Sequence, residues 1–568
     1  MVRAGRAAWG AASIASLAVG LNGCGNGGAD PASAHGGSSH PDGGGADNLH
    51  AAARQVDHYL VNYAPWSGAG IELAKRYQLV ITRPDKGNIS RDQVQAIQSG
   101  VDPTDPTDDV LVLCYVSVGE DLRTRGLSDD QLRADPRFRG DGEGPRVDPR
   151  GPGADGAPLE GIDPRGAPSA GGSGFASYYL DDNDVHNSAN HAGDGLPDRN
   201  RIFGSAFVNA GDPAWFPIVD AMTLDGPDHL SGLREVLTTD HGRGLGCDGV
   251  FLDTIDTAAP NSYTDWSSAN QSEFEWTAPG FAEFIRHVHR QYPDKLILQN
   301  RGLFFFDPRR PQFRWNARGA VDLVLFESFR LNSNSFEEWN PEHYSDNRYQ
   351  VAPKLMAEAN RPDGFRVLSL GYAEGPADRM SPLTLMGQST LGYDSLLEDI
   401  RVTQELNGFR HYLSNADVSL VNDFVRGHAS LDDHTPPRWS SSFNPGMAAP
   451  ASEPAPRVGL QQAEAAAGRI TVRWDVALDL NRVQYVLYAQ PRPFDFSGDP
   501  SLPGARRIPL VATLPASYLD GVGPGRFPYE ATVSGFPTGQ TQYLLLRAVD
   551  ESPSANQDDN QVVLTATP

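Results

Sequence analysis

Asp248-Gly249-Val250-Phe251-Leu252-Asp253 and, further along, Asp322-Leu323-Val324-Leu325-Phe326-Glu327 are the stretches on which the reading of this chain turns. Each is a short apolar run, rich in β-branched and aromatic side chains, that ends on a carboxylate. A run that is apolar at every position, rather than at every second one, is the pattern of a strand buried on both faces of a parallel sheet. Six more such runs alternate with helix-length amphipathic segments: Tyr59–Tyr63, Leu79–Thr82, Val110–Val118, Lys295–Gln299, Arg366–Leu370 and Phe409–Tyr412. Eight βα units, with no glycine-rich dinucleotide fingerprint after the first, predict an α/β fold of the (β/α)8 TIM-barrel type over residues 55–431.

In that fold the active site gathers at the C-terminal ends of the strands. Asp253 ends the fourth strand and Glu327 the sixth, so both carboxylates reach one rim, whereas Asp248 precedes its strand and belongs to the opposite face. Two carboxylates flanking a scissile bond are the requirement of glycoside hydrolysis, one to protonate the leaving oxygen and one to attack carbon or activate water. Further candidates for substrate contact stand at other strand ends. Glu120 and Asn300 offer hydrogen bonds to hydroxyls or an amine, and Tyr115 and Trp66 offer faces on which a pyranose stacks. Packing is an equal alternative for Tyr115. Asp256 either lines the cleft or caps the helix that follows, and Tyr179 is a candidate on the cleft's lip.

The longest departure from the βα rhythm is an excursion between the third and fourth strands, where residues 123–174 are dense in Gly, Pro, Asp and Arg. A segment of that length without structure is usually functional or disordered. Beyond it, Asp181, Asn183, Asp194 and Asp198 cluster around glycine turns. Such oxygens can hold calcium, the only cofactor the sequence suggests, although the spacing is not that of an EF-hand and a solvated turn or substrate lip explains it as well. No other metal site or cofactor is expected.

Several motifs, taken in order, resemble glycoside hydrolase family 114, the endo-α-1,4-polygalactosaminidase group with its spherulin-4-like barrels. They are Cys114-Tyr115-Val116-Ser117-Val118-Gly119-Glu120, Phe207-Val208-Asn209 with Asp212-Pro213-Ala214-Trp215, the run ending in Asp253, Gln299-Asn300, and Glu327-Ser328-Phe329. The resemblance implies endo cleavage of α-1,4-linked galactosamine, a partly N-acetylated and therefore cationic polymer, with Asp253 and Glu327 as the catalytic pair. Analogy with other barrels makes Asp253 the nucleophile and Glu327 the acid/base of a retaining enzyme. The chain departs from the family pattern in its long excursion and at the end of the second strand, Ile81-Thr82-Arg83-Pro84, where the nearest acid is Asp85.

The flanking regions carry different signals. Residues 1–23 have two arginines followed by an apolar stretch too short to span a membrane, the form of an export signal. It ends in Leu21-Asn22-Gly23-Cys24, similar to a bacterial lipobox, so Cys24 is a lipidation candidate and the expectation is a lipoprotein of the outer membrane or cell surface. Residues 24–54 read as a flexible tether in which His50 is solvated, and residues 432–456 as a Pro/Ser/Ala linker. Residues 457–568 alternate in the manner of short strands and resemble a fibronectin type III module, with Trp474 and Tyr485 in its core.

A formal charge of −25 argues against nucleic acid, whose phosphates need a basic surface, and suits a cationic polysaccharide. Three cysteines rule out a disulfide framework, and Cys114 and Cys247 are expected as buried free thiols, with a bridge between them as the lesser alternative because neighbouring strands rarely place two Cys at bonding geometry. A competing reading, a surface lipoprotein that binds carbohydrate without cutting it, is motivated by the anchor, the added sandwich and the altered loops.

Overall fold

The computed structural model describes residues 45–568 apart from 152–153, 155–156, 182–192, 201–202, 261–273, 332–345, 375–398, 400–402, 404–407, 416, 420–432, 440–457, 476, 480, 482, 498–501 and 512–528. Cys24 and Asn183 lie outside the described residues. Eight parallel strands follow one another in chain order across a single sheet. They are β1 Tyr59–Asn62, β2 Leu79–Thr82, β3 Leu111–Ser117, β4 Gly249–Asp253, β5 Leu296–Asn300, β6 Leu323–Glu327, β7 Arg366–Glu374 and β8 Arg410–Asn415. The sheet curls until its outer edges meet: the rings of Tyr59 and Tyr412 stand 5.7 Å apart, and Tyr63 N–H donates to the Val418 carbonyl at 2.7 Å. Sequential parallel order with near closure is the arrangement of a TIM-type barrel. Every residue of β3 is buried, as a strand covered on both faces must be.

The eight expected runs fall on these strands, but β7 runs on to Glu374 where Leu370 was the expected end. Gly371 reads as a breaker, since glycine weakens a strand. Here it allows a close approach instead, because a Cβ at this position would lie 2.5 Å from Asp399 Oδ2 and 3.1 Å from His411 Cε1. The continuation carries Tyr372 to the rim.

Two other expectations are corrected. Cys114 and Cys247 are joined in a disulfide, with Cα atoms 6.3 Å apart across a separation of 133 residues. The physical reason is adjacency: β4 pairs directly with β3 despite the excursion between them, and the segment entering β4 runs beside Cys114. The end of the tether is not flexible either. Gly45–Arg54 forms a helix, α1, whose Ala53 is buried and whose His50 Nδ1 meets Asp322 Oδ1 at 2.5 Å, while Nε2 meets the Pro293 carbonyl at 3.2 Å. The Asp322 hydrogen bond raises the His50 pKa, against burial and the nearby charge of Arg54; the His289 ring stands 6.2 Å away. A raised folded-state pKa contributes stability that is complete below about 6.5 and lost as pH rises through the raised value. Hydrogen exchange of residues 49–54, corrected for intrinsic rates, is therefore expected to speed up from pH 6 to 9 in the wild type but not in His50→Ala. Equal pH dependence in the two would contradict this docking.

The excursion after β3 is ordered by a repeat in its own sequence. Asp-Pro-Arg occurs at Asp135–Arg137, Asp148–Arg150 and Asp163–Arg165, and again after β5 at Asp307–Arg309. In each the arginine N–H donates to the aspartate Oδ1, at 2.9, 2.8, 3.0 and 3.0 Å, and its guanidinium closes on the same carboxylate. Proline presets the turn that this local pairing completes. Phe138, Phe175, Tyr178 and Tyr179 are buried beneath, so the excursion is packed rather than structureless.

After the barrel the described residues form two larger antiparallel sheets, of three and four strands, besides the short pair Arg438–Trp439 and Ala477–Leu478. One sheet is β9 Leu460–Ala466, β10 Arg469–Trp474 and β13 Tyr529–Ser534; the other is β11 Val483–Gln490, β12 Arg506–Leu510, β14 Gln542–Asp550 and β15 Val563–Ala566. Trp474 of the first sheet meets Tyr485 of the second at 5.6 Å, and Tyr529 joins them, forming the aromatic core between the sheets.

Candidate active site

Three neighbouring strands, β4, β5 and β6, end on Asp253, Asn300 and Glu327. The next residue in each is a non-glycine in the left-handed region: Thr254 at φ 66°, Arg301 at φ 50° and Ser328 at φ 57°. Such a conformation costs on the order of 1 kcal/mol or more for a residue with a Cβ, so neighbours must hold it. Thr254 Oγ1 accepts from Gly119 N–H at 2.7 Å, and Ser328 N–H donates to the Leu370 carbonyl at 2.9 Å. Arg301 spans all three strand ends, donating to Asp256 Oδ2 and to the Glu327 carbonyl, both at 2.7 Å.

The Asn300 amide lies between the two acids. Its Nδ2 donates to Asp253 Oδ1 and to Glu327 Oε2, each at 2.8 Å, so these oxygens are at most about 5.6 Å apart, twice that distance. Tyr372 donates to the other oxygen of Glu327, Oε1. The Tyr115 hydroxyl faces Asp253. Tyr63 packs edge-on against Tyr115 at 5.9 Å, and the Arg83 guanidinium covers the Tyr115 ring at 4.3 Å. Arg83 is held by both oxygens of Asp85, at 2.9 and 3.0 Å, so the acid missing from the end of β2 is delivered three residues later as an ion pair.

Burial, and secondarily the charge of Asp253, raises the Glu327 pKa; the donors Tyr372 and Asn300 oppose the rise. Glu327 thus keeps its proton to higher pH than an ordinary carboxyl, as a proton donor needs to. In Tyr372→Phe a donor to the ionised form is lost, so the Glu327 pKa is expected to climb further. NMR titration of the Glu327 carboxyl would register this as a higher midpoint; an unchanged midpoint would contradict the contact.

The remaining candidates separate by burial and by partner. Glu120 is 3% exposed and its oxygens accept from Asn200 and Ser205, while burial pushes its pKa up to about 7. Asp256 does not cap the helical turn in which it lies: beside the Arg301 ion pair it accepts from Gly302 N–H at 2.9 Å, tying the turn after β4 to the one after β5. Two aromatic expectations are corrected. Trp66 is buried, its indole donating to Thr82 Oγ1 at 2.9 Å, and Tyr179 is fully buried with its hydroxyl on Asp121 at 2.8 Å, so neither presents a face to a sugar.

The proposed calcium cluster does not assemble among the described residues. Asp181 accepts from Ser169 and from the backbone N–H groups of Asp194 and Gly195, at 3.0 and 2.7 Å, and Asp194 accepts from Leu196 N–H. The carboxylates of Asp181, Asp194 and Asp198 do not converge as a ligand group. A different group of acids, Asp433, Asp479 and Asp550, comes together where the chain enters the sandwich, with ligand atoms within 4.8 Å of one another. Asn481 donates to Asp433 there, and Asn556 to Asp550.

No protein-family model and no curated protein matches the chain. Solved structures do. The glycoside hydrolase domain of PelA from Pseudomonas aeruginosa is 15% identical, covering 64% of this chain and 97% of its own, with a TM-score of 0.36. The C-terminal domain of ChiA from Legionella pneumophila is 13% identical over 64% of this chain and 88% of its own, TM-score 0.26. A GH18 chitinase from Pseudoalteromonas aurantia is 11% identical over 63% and 92%, TM-score 0.26.

Proposed function

We propose that this chain is a glycoside hydrolase that cuts within a polysaccharide by a retaining mechanism, with Asp253 as nucleophile and Glu327 as general acid/base. The observation that carries the reading is the single amide of Asn300 bridging two strand-end carboxylates. Carboxyl groups about 5 to 5.5 Å apart suit a retaining enzyme, whereas an inverting one keeps roughly 6.5 to 9.5 Å for a water. Both carboxylates keep partial exposure, so a substrate reaches them.

In the first step Asp253 attacks the anomeric carbon while Glu327 transfers its proton to the departing glycosidic oxygen, leaving a glycosyl ester on Asp253. In the second, Glu327, now ionised, takes a proton from water as that water displaces Asp253, which restores both groups. Asn300 and Tyr115 stabilise the carboxylate of Asp253 before attack, and Tyr372 and Asn300 orient Glu327.

The sequence motifs extend the proposal to an α-1,4-linked galactosamine-containing polymer, to a fibronectin type III-like fold for the sandwich, and to export with Cys24 as lipid attachment point. Incubation with α-1,4-galactosaminan is expected to release reducing ends and shorten the chains progressively from within. Binding of the polymer without shortening would end the hydrolase reading in favour of a carbohydrate-binding lipoprotein.

A further inference from the structure

Three tyrosines stand at the rim around the carboxylate pair, and two of them are already spent. Tyr115 turns its hydroxyl to Asp253, and Tyr372 donates to Glu327 Oε1. The neighbouring amide and guanidinium groups are committed too: Asn300 serves both acids, Arg301 holds Asp256 and the Glu327 carbonyl, and Arg83 holds Asp85. Tyr63 is different. Its hydroxyl has no hydrogen-bond partner among the described residues, and the residue is partly exposed.

The fold carries this hydroxyl to the pair. In a ring of eight strands in chain order β1 lies across from β5, so Tyr63, the residue after β1, stands opposite the strand end that bears Asn300. Its backbone is fixed on both sides: Tyr63 N–H donates to the Val418 carbonyl at 2.7 Å, and Ala64 N–H to Asn62 Oδ1 at 3.1 Å. Its ring rests edge-on against that of Tyr115 at 5.9 Å. Burial, and then the charges of Asp253 and Glu327, raise its pKa well above the ordinary tyrosine value, so the phenol meets a substrate as a neutral donor.

A protonated hydroxyl beside two acids and bonded to neither faces what lies between them, the sugar unit whose bond is cut. Donation to the ring oxygen would oppose the positive charge that develops there in an oxocarbenium-like transition state. A ring hydroxyl is the compatible acceptor, and contacts of this kind strengthen as the ring distorts toward that state. We infer that Tyr63 is a substrate-binding residue, whose hydroxyl donates to a ring hydroxyl of the sugar unit held between Asp253 and Glu327. The inference rests on the hydrolase reading and places a donor across the sugar from Asn300.

Tyr63→Phe tests it, because the ring stays against Tyr115 and only the hydroxyl goes. With no protein partner to lose, Tm and the Glu327 midpoint by carboxyl NMR are expected to keep their wild-type values, in contrast to Tyr372→Phe. On α-1,4-galactosaminan, kcat/KM is expected to fall about tenfold, the scale of one hydrogen bond, and chiefly through kcat because the contact is strongest in the transition state. A Glu327 midpoint that climbs in Tyr63→Phe would mean that the hydroxyl serves the acid, and would overturn the assignment whether or not polymer is cut. A kcat/KM within about twofold of the wild type would also overturn it, while leaving the hydrolase standing. If the wild type cuts no galactosaminan, the hydrolase reading fails by itself, and calorimetry with the same polymer decides Tyr63. Binding about tenfold weaker in Tyr63→Phe supports the contact, and equal binding, or none by the wild type, removes it.

Discussion

Asp253→Asn is expected to lower chain cleavage on the order of 10⁴-fold or more while leaving the fold intact. The substitution is isosteric, and its side-chain oxygen can still accept from Asn300, so packing at the end of β4 is preserved. What is lost is the electron pair that attacks carbon, and an amide cannot form the ester intermediate. Glu327→Gln removes the proton donor from the same geometry, with an expected loss of about 10² to 10⁴-fold. Neither variant should lose stability, because Asp253→Asn replaces a charge by a neutral amide and Glu327→Gln replaces a carboxyl that holds its proton by an amide of the same shape. Asp253→Asn carries a second signature: the Asp253 charge helps to raise the Glu327 pKa, so the Glu327 titration should move down in this variant. Reducing-end assays beside thermal melts check the pair. Activity within tenfold of the wild type in either variant would remove that residue from the chemistry.

Asn300→Asp is expected to be nearly as damaging, for a different reason. The amide donates one N–H to each acid, so its loss deprives Asp253 Oδ1 and Glu327 Oε2 of a partner together. Asn300 is 7% exposed, and a third carboxylate there repels both neighbours in a poorly hydrated place. The Glu327 pKa should rise, the spacing of the acids should relax, and kcat should fall by about 10²-fold or more, the scale of an ångström-sized misplacement. Each buried acceptor left without a donor also costs about 1 to 3 kcal/mol, so Tm should drop, unlike in Asp253→Asn. A kcat within threefold of the wild type would mean that Asn300 does not set the geometry of the pair.

Much of this site was legible in the sequence because a barrel strand announces its end. Apolar runs closing on Asp253 and Glu327 place those residues on one rim before any contact is known. Residue type alone does not say what a strand-end amide faces, so Asn300 was read as a candidate for sugar contact without its hydrogen bonds to both acids being foreseen. Tyr372 was hidden by Gly371, whose role is close approach to Asp399 and His411 rather than termination. Trp66 and Tyr179 were misjudged because an aromatic near a cleft and an aromatic beneath it look alike in one dimension. The Cys114–Cys247 bond depends on strands brought side by side across 133 residues, which no local pattern records. The Asp-Pro-Arg turns are the opposite case, a local signal whose pairing is complete within three residues.

The most direct measurement of the central claim is the anomeric configuration of the newly formed chain end, followed by proton NMR in the first minutes of α-1,4-galactosaminan cleavage. Double displacement through Asp253, with Glu327 passing the proton, gives the α-anomer first, with the β-anomer growing in only by mutarotation. Initial appearance of the β-anomer would mean a single displacement by water, and would contradict a carboxylate pair held close by Asn300.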